Sequence, residues 1–236
     1  MKVAFLISGQ PRRVKETYNN ISRNFLNPYN PDVFIHSWVD QDCFSKNNTS
    51  SFNLGDFTYN KDIVGEIYNY YTPKKALFED QIKFILPDNL KGLPNSPNYH
   101  HNMTSMLYSM NKVNELKKQY EEENNFVYDC VIRYRFDLKF YPPDEEHIDL
   151  YNYDLDKGIY CISDCPHYNG VNDQFALGNS ENMDAFNSSY NNLKEFSKNY
   201  KQFAELVCGE TIVYYSTWIK NNILVDYLPY KHKLLR

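Results

Sequence analysis

The fold is decided by residues 3–36, VAFLISGQPRRVKETYNNISRNFLNPYNPDVFIH. Val3–Ile7 is a continuous apolar run, which is typical of a strand buried on both faces. Pro11 has the fixed φ that suits a first helical position, so residues 12–25 are predicted as an amphipathic helix. Asp32–His36 predicts a second buried strand. Strand, helix and strand in this order indicate a βαβ unit and therefore a parallel pair of strands.

The rest of the chain continues to alternate between the two kinds of element. Apolar periodicity predicts further helices over residues 63–70, 103–121, 181–200 and 210–220, and further strands over residues 76–78, 130–132, 158–162, 174–177 and 223–228. Residues 40–60 are rich in Asn, Ser and Asp, and residues 87–99 contain three prolines, so both stretches are predicted as long loops. No stretch resembles a linker. We therefore expect an α/β fold with a mainly parallel twisted sheet flanked by helices, as one domain over residues 1–236.

The composition limits the classes of partner. Hydrophobic residues make up 42% and charged residues 23% of the 236, which is typical of a globular chain with a proper core. The formal net charge of −5 argues against a dedicated nucleic-acid binder, because such proteins usually present a basic face. A local basic pocket for a phosphate group is still compatible with this charge.

The cysteines and the apolar runs indicate a cytoplasmic protein. The five Cys are an odd number and form no Cys-x-x-Cys pair, which fits a reducing compartment better than a disulfide framework. The apolar run at the N-terminus is too short for a secretion signal. No apolar stretch approaches the ~20 residues that a membrane span needs, so no membrane span is expected.

Charged residues gather where the strand over residues 130–132 ends. Arg133, Arg135 and Asp137 follow it at steps of two and share one face if the strand continues. In open α/β sheets this carboxyl edge is where ligands bind. Asp137 offers the carboxylate oxygen that a hard cation on a diphosphate requires. An Arg–Asp ion pair that closes the strand explains the same residues equally well.

Four segments together resemble a known family. They are AFLISGQPR at residues 4–12, DVFIHSW at 32–38, YDCVIRYRFDL at 128–138 and NDQFALG at 172–178. These stretches resemble the small GT-A glycosyltransferases of large DNA viruses of algae and protists, such as chlorella viruses, and of bacterial surface-polysaccharide clusters. The resemblance implies a GT-A fold and transfer of a hexosyl or pentosyl group from a nucleoside diphosphate sugar, with a UDP-sugar favoured, to a saccharide hydroxyl. It also implies a Mn²⁺ or Mg²⁺ cofactor and, for a viral protein, the host cytoplasm.

The chain departs from this family at the metal motif. GT-A enzymes usually have Asp-x-Asp where this chain has Arg135-Phe136-Asp137. One interpretation is that Asp137 alone holds the ion, since Mg²⁺ often keeps several waters and takes other ligands from phosphates. The other is that Arg135 contacts a phosphate and partly replaces the ion. The metal at Asp137 is the expectation retained here.

The resemblance also assigns donor-binding roles. Ser8, Gly9, Gln10 and Arg12 lie in the first strand-to-helix loop, which borders the nucleotide; Gly9 permits close backbone approach, and Arg12 is the phosphate candidate. His36 and Trp38, at the end of the second strand, are expected to line the base or ribose pocket, although a lone His is more often structural. Donor contacts are also expected from Arg133 and Arg135.

Two carboxylates are candidates for the catalytic base. An inverting transferase needs a group that takes the proton from the acceptor hydroxyl. Asp173 lies in the family-like segment before a predicted strand, and Glu210 lies at a predicted helix start. Asp173 is slightly preferred as a contact to the donor or acceptor sugar, while charge complementarity with the helix is an ordinary explanation for Glu210. A retaining enzyme would need neither residue as a base.

Two other functions fit parts of the sequence. A sugar nucleotidyltransferase also combines a nucleotide-binding sheet with a divalent ion, but it should have a Gly-rich loop after the first strand, and residues 8–13 contain one Gly. A catalytically silent module that binds nucleotide or glycan is the alternative from another class, because the first Asp of the metal motif is missing. Turnover of a donor sugar separates this module from an enzyme.

Overall fold

The computed structural model describes residues 1–39, 62–85, 97–142, 147–162 and 170–235. The loop predicted over residues 40–60 lies outside these ranges, as does most of the loop predicted over residues 87–99. Nine strands are formed within the described ranges: β1 Val3–Gly9, β2 Asp32–Trp38, β3 Lys75–Glu79, β4 Cys130–Tyr134, β5 Leu138–Tyr141, β6 Gly158–Ile162, β7 Ala176–Gly178, β8 Leu224–Leu228 and β9 Lys231–Leu234.

Helices flank these strands. They are α1 Val14–Ile21, α2 Asn27–Tyr29, α3 Ile63–Tyr71, α4 Pro97–Asn124, α5 Ser180–Asn187, α6 Ser189–Asn199 and α7 Gly209–Tyr214. A π-helical segment, Ser22–Leu26, joins α1 to α2, and another, Tyr215–Ile219, continues α7. Short 3₁₀ turns lie at Leu150–Asn152 and Tyr200–Gln202. Along the described ranges, no helix has both the length and the apolar composition that crossing a membrane requires.

Seven of the strands form one sheet in the order β3-β2-β1-β4-β7-β6-β8. All neighbouring pairs are parallel except the two that involve β7, which runs antiparallel to β4 and β6. The predicted α/β class, a mainly parallel sheet flanked by helices, is confirmed. Assignment of residues 1–236 to one glycosyltransferase domain stays a prediction.

Side chains alternate across the sheet and bury two apolar layers. Phe5 and Ile7 of β1 face one layer, which includes residues of α1 and α3. Ala4 and Leu6 face the other, which includes α4 and the helices after β7. Both layers consist of buried residues, which explains why β1 is apolar on both faces.

The structure corrects three details of the sequence-based prediction. The first helix begins at Val14 and not after Pro11, because Gly9 (φ 117°) and Arg13 (φ 55°) turn the chain between β1 and α1. The helix predicted over residues 181–200 is broken at Ser188, where the Ser189 hydroxyl donates to the Phe186 carbonyl at 2.6 Å. Such side-chain bonds compete with the helical ladder.

A second, two-stranded sheet is absent from the prediction. β5 and β9 pair antiparallel, with Leu138 opposite Leu234. Both strands are short, and β9 lies in a basic tail without a strong apolar alternation. The pairing joins residues almost a hundred positions apart, so the local pattern contains no signal for it.

Candidate active site

Several elements meet at the carboxyl edge of the sheet. The parallel strands β1, β2 and β4 end there, whereas the antiparallel β7 begins there. Ala176 of β7 pairs with Arg133 of β4, so Asp173, three residues earlier, lies at the same edge. The Val171 amide donates to the Glu210 carbonyl at 2.9 Å, which brings the start of α7 to this edge too.

The turn after β4 holds an ion pair with two parallel hydrogen bonds. Arg135 donates from Nε to Asp137 Oδ1 and from Nη2 to Oδ2, both at 2.9 Å. Asp137 is buried, whereas 27% of the Arg135 side chain is exposed. Burial alone would raise the pKa of Asp137, but the charge and hydrogen bonds of Arg135, together with the charge of Arg12, lower it below the ordinary value.

Two distant segments brace this turn. The Thr17 hydroxyl of α1 donates to the Phe136 carbonyl at 2.6 Å. The Leu235 amide, just after β9, donates to the Asp137 carbonyl at 2.8 Å. The turn is therefore held by residues from near both ends of the chain. Neither contact was expected from the sequence. The one local sign of the Thr17 contact is that Thr17 is a polar residue on a helix face that is otherwise apolar.

Arg133 lies beneath this turn and has no exposed surface. Its Nη1 donates to the Tyr134 carbonyl, and its Nε has no hydrogen-bond partner among the described residues. Burial, and then the charge of Arg135, lower the pKa of Arg133 to about 9, against the opposing charges of Asp173 and Asp137. Arg133 thus contributes a buried positive charge next to the turn after β4.

Asp173 and Glu210 form a carboxyl pair beside the guanidinium groups. Burial, followed by the charge of Asp173, raises the pKa of Glu210 to about 7, while Arg135 opposes this shift. The close approach depends on Gly209, because a Cβ there would overlap Asp173 Oδ2 and the Met106 methyl group. The sequence analysis assigned no role to Gly209, although a glycine at the first position of a helix is the signal for such close packing.

The loop between β1 and α1 borders the same edge. Ser8 is buried, and its hydroxyl has no partner in the part of the chain that the structure describes. Gly9 adopts the positive φ that favours glycine, and Arg12 Nη2 donates to Gln10 Oε1. The charge of Arg12 reaches Asp137. These four residues therefore lie at the carboxyl edge of the sheet, and their contact with a nucleotide stays a prediction.

His36 and Trp38 have the surroundings of core residues. His36 is fully buried, and its Nδ1 and Nε2 lie 2.7 Å from the Ser109 hydroxyl and from Glu79 Oε2. Trp38 is 1% exposed and stacks on Tyr108 of α4, with ring centroids 5.5 Å apart. Burial lowers the pKa of His36, against its bond to Glu79. Their expected role in a base pocket stays a prediction.

The donor set at Asp137 does not fit a resident divalent cation. Asp137 is the carboxylate expected to hold such an ion, and both of its oxygens accept from Arg135, so an ion would have to compete with the guanidinium group for them. Within the described ranges, no group of three His, Cys, Asp or Glu side chains could hold a metal. The carboxyl pair Asp173 and Glu210 is flanked by guanidinium charge, which opposes a second cation.

The comparisons with known proteins add little to this geometry. No family model matches the chain, and no curated protein matches it. Among the solved structures that match is mouse xyloside xylosyltransferase 1 in its apo form. It is 10% identical over 96% of this chain and 84% of that chain, with a TM-score of 0.47. A likeness this distant supports no statement about activity.

Proposed function

We propose that the chain is a glycosyltransferase that moves a hexosyl or pentosyl group from a nucleoside diphosphate sugar to a saccharide hydroxyl, with a UDP-sugar as the favoured donor. One observation supports this most. Guanidinium groups and the carboxyl pair of Asp173 and Glu210 lie side by side at the carboxyl edge of the sheet. Three of the four family-like segments supply parts of that edge, namely the loop after β1, the end of β4 and the segment before β7.

The guanidinium groups match the charge that develops on the leaving group. When the glycosidic bond breaks, its electron pair goes to the oxygen of the diphosphate, and negative charge builds there. Arg12 and Arg135 are both partly exposed, and the charge of each acts on Asp137. We assign them to the diphosphate, with the buried charge of Arg133 beneath them.

The carboxyl pair matches the needs of the acceptor. As its oxygen bonds to the anomeric carbon, the acceptor hydroxyl loses a proton, and a base with a pKa near neutral is best suited to take it. Glu210 has such a pKa, of about 7. We therefore assign the base to Glu210 in an inverting reaction and assign to Asp173 the contact with the donor or acceptor sugar.

A thermal-shift panel tests the proposal. UDP, GDP, dTDP and CMP are each added with Mn²⁺ and with EDTA, to the wild-type chain and to Asp137→Ala. A ligand that binds only the native state raises the Tm by mass action. We expect a shift for one nucleoside diphosphate that is reduced in Asp137→Ala. Absence of a shift with all four nucleotides contradicts the proposal.

Turnover separates an enzyme from a binding module. Mass spectrometry of sugars released or transferred from donors of the preferred base is the readout, with Glu210→Gln as the matched variant. We expect release or transfer by the wild type and at least a hundredfold slower turnover by Glu210→Gln, because general-base catalysis typically contributes about 10²–10⁴-fold. Binding without turnover would indicate a silent nucleotide-binding module instead.

A further inference from the structure

The geometry of Arg135 leaves part of its guanidinium available to a ligand. The group has five N–H donors, and Asp137 accepts two of them, from Nε and Nη2. No other hydrogen bond of this side chain occurs in the described ranges, and 27% of the side chain is exposed. The remaining N–H groups belong to the two Nη atoms, which form the outer end of the fork.

Asp137 fixes this fork in place. Its two oxygens hold the Nε side of the guanidinium in one plane, and the Asp137 carbonyl is itself bound by the Leu235 amide. A planar guanidinium held in this way is prepared for a second, parallel pair of bonds to phosphate oxygens. Asp137 is therefore a positioning residue in this arrangement.

The charges around the fork favour an anion over a cation. Arg12, Arg133 and Arg135 act on three carboxyls, those of Asp137, Asp173 and Glu210. Two of these guanidinium groups, those of Arg12 and Arg135, are partly exposed and can present N–H donors to a diphosphate. A cation at the same place would meet Asp137, whose two oxygens already accept from Arg135.

We propose that Arg135 takes the place of the divalent cation, so that the donor diphosphate binds to its free N–H groups without a metal. This inference rests on the proposed function, and it departs from the Mn²⁺ or Mg²⁺ that the family resemblance implies. The leaving diphosphate keeps the electron pair of the broken bond, and its charge is balanced by the guanidinium groups. No metal is needed for the balance of the reaction.

Titration calorimetry with UDP, GDP and dTDP tests the inference. Each is titrated into the full chain in EDTA and again in Mn²⁺ or Mg²⁺. We expect the best nucleotide to bind in EDTA with a Kd within about twofold of its Kd in metal, because the fork replaces the ion. Binding that is tenfold or more tighter with metal overturns this inference and leaves the proposed function standing. Absence of binding in every buffer overturns both.

Variants of two arginines sharpen the test. Arg135→Gln removes the fork, and Arg13→Gln is the control, because Arg13 is 30% exposed and also forms an ion pair with a carboxylate, that of Glu16, at 2.8 Å. In EDTA we expect the Kd for the nucleotide to rise at least tenfold for Arg135→Gln and less than twofold for Arg13→Gln. Equal affinity of Arg135→Gln and wild type contradicts the proposal.

Two further variants guard against loss of folding. Arg135→Lys keeps the charge and loses only the planar fork, so it should fold and still weaken binding severalfold in EDTA. Asp137→Asn keeps Arg135 but leaves it unheld. It should weaken metal-free binding, and added Mn²⁺ should not restore the affinity. The inference is overturned if Mn²⁺ tightens nucleotide binding in the wild type and has no such effect in Asp137→Asn. That result would identify Asp137 as a metal ligand.

Discussion

Two clusters of charge in the molecule differ in how completely their groups are paired. In the first, between α4 and α5, the buried Lys117 ammonium donates to Ser180 Oγ at 2.5 Å and to Asp184 Oδ1 at 2.8 Å, and it forms an ion pair with Glu121 Oε2 at 2.9 Å. The ammonium therefore has three oxygen partners. Ser180 also donates to Glu121 at 2.8 Å. We call this set the Lys117 cluster.

The candidate site is unsaturated by comparison. Within the described part of the chain, Arg133 Nε and the Ser8 hydroxyl are buried without partners, and Arg135 donates only to Asp137. Buried polar groups are usually satisfied, because an unpaired one costs free energy. A saturated cluster stabilises the fold, whereas an unsaturated one at an open edge has groups available for a ligand. Charge alone does not separate the two; the count of partners does.

The largest expected effect is on the stability of the Lys117 cluster. Lys117→Met leaves the carboxylates of Glu121 and Asp184 without their buried partner, and we expect the free energy of unfolding to fall by roughly 3–5 kcal/mol. Urea denaturation is the measurement. Lys118→Met is the control, because Lys118 is half exposed and lies 3.4 Å from Asp184. A similar fall in the free energy of unfolding in both variants would show that the buried Lys117 contributes no more to stability than the half-exposed Lys118.

The next effect concerns the packing under the candidate site. A Cβ in Gly209→Ala would overlap Asp173 and Met106, so we expect Asp173 to be displaced and the protein to lose about 1–3 kcal/mol of stability. Turnover should fall more than the folded fraction does. The double variant with Met106→Ala relieves the methyl overlap but not the carboxylate overlap. Full recovery of turnover in this double variant contradicts a role for Asp173.

Two serines provide a matched pair between the clusters. Ser180→Ala removes a hydroxyl that both accepts and donates, and we expect a loss of about 1–2 kcal/mol of stability. Ser8→Ala removes a buried hydroxyl with no partner, so the ligand-free protein should be unchanged or slightly more stable. Nucleotide affinity should fall only in Ser8→Ala. Equal destabilisation by both substitutions would show that Ser8 is as well satisfied as Ser180.

The smallest effect is a pH dependence of stability from Glu210. Its pKa is raised from 4.5 in the unfolded chain to about 7 in the fold, so the folded state binds the proton more tightly. This contribution is fully present below pH 4.5 and is lost as the pH rises through about 7. We expect a loss on the order of 1 kcal/mol, because the side chain is partly exposed.

Denaturation between pH 5 and pH 8 measures this dependence, and Glu210→Gln should flatten it. Turnover should rise over the same range, because the base acts when it is deprotonated. An identical pH profile of stability in wild type and Glu210→Gln would show that Glu210 has an ordinary pKa.

The sequence by itself determined the sheet and the edge where the site lies. Continuous apolar runs such as Val3–Ile7 are needed wherever a strand is covered on both faces, so burial is written directly into the local pattern. The charged residues Arg135 and Asp137 interrupt the apolar pattern of β4, which marks the end of the strand and the carboxyl edge. The alternation of strands and helices along the chain then indicates the α/β class.

Only the tertiary structure decided which polar groups meet. Local periodicity reports which face of an element is buried, but not which distant element covers it. Glu210 lies near Asp173 for two reasons. β7 runs antiparallel to β4, so the segment before β7 lies at the carboxyl edge, and the backbone hydrogen bond from Val171 to Glu210 brings the start of α7 to the same edge. His36 is satisfied by Ser109 and Glu79, which lie on other elements. The role of Arg135 depends on such contacts, because its free N–H groups can be counted only when its partners are known.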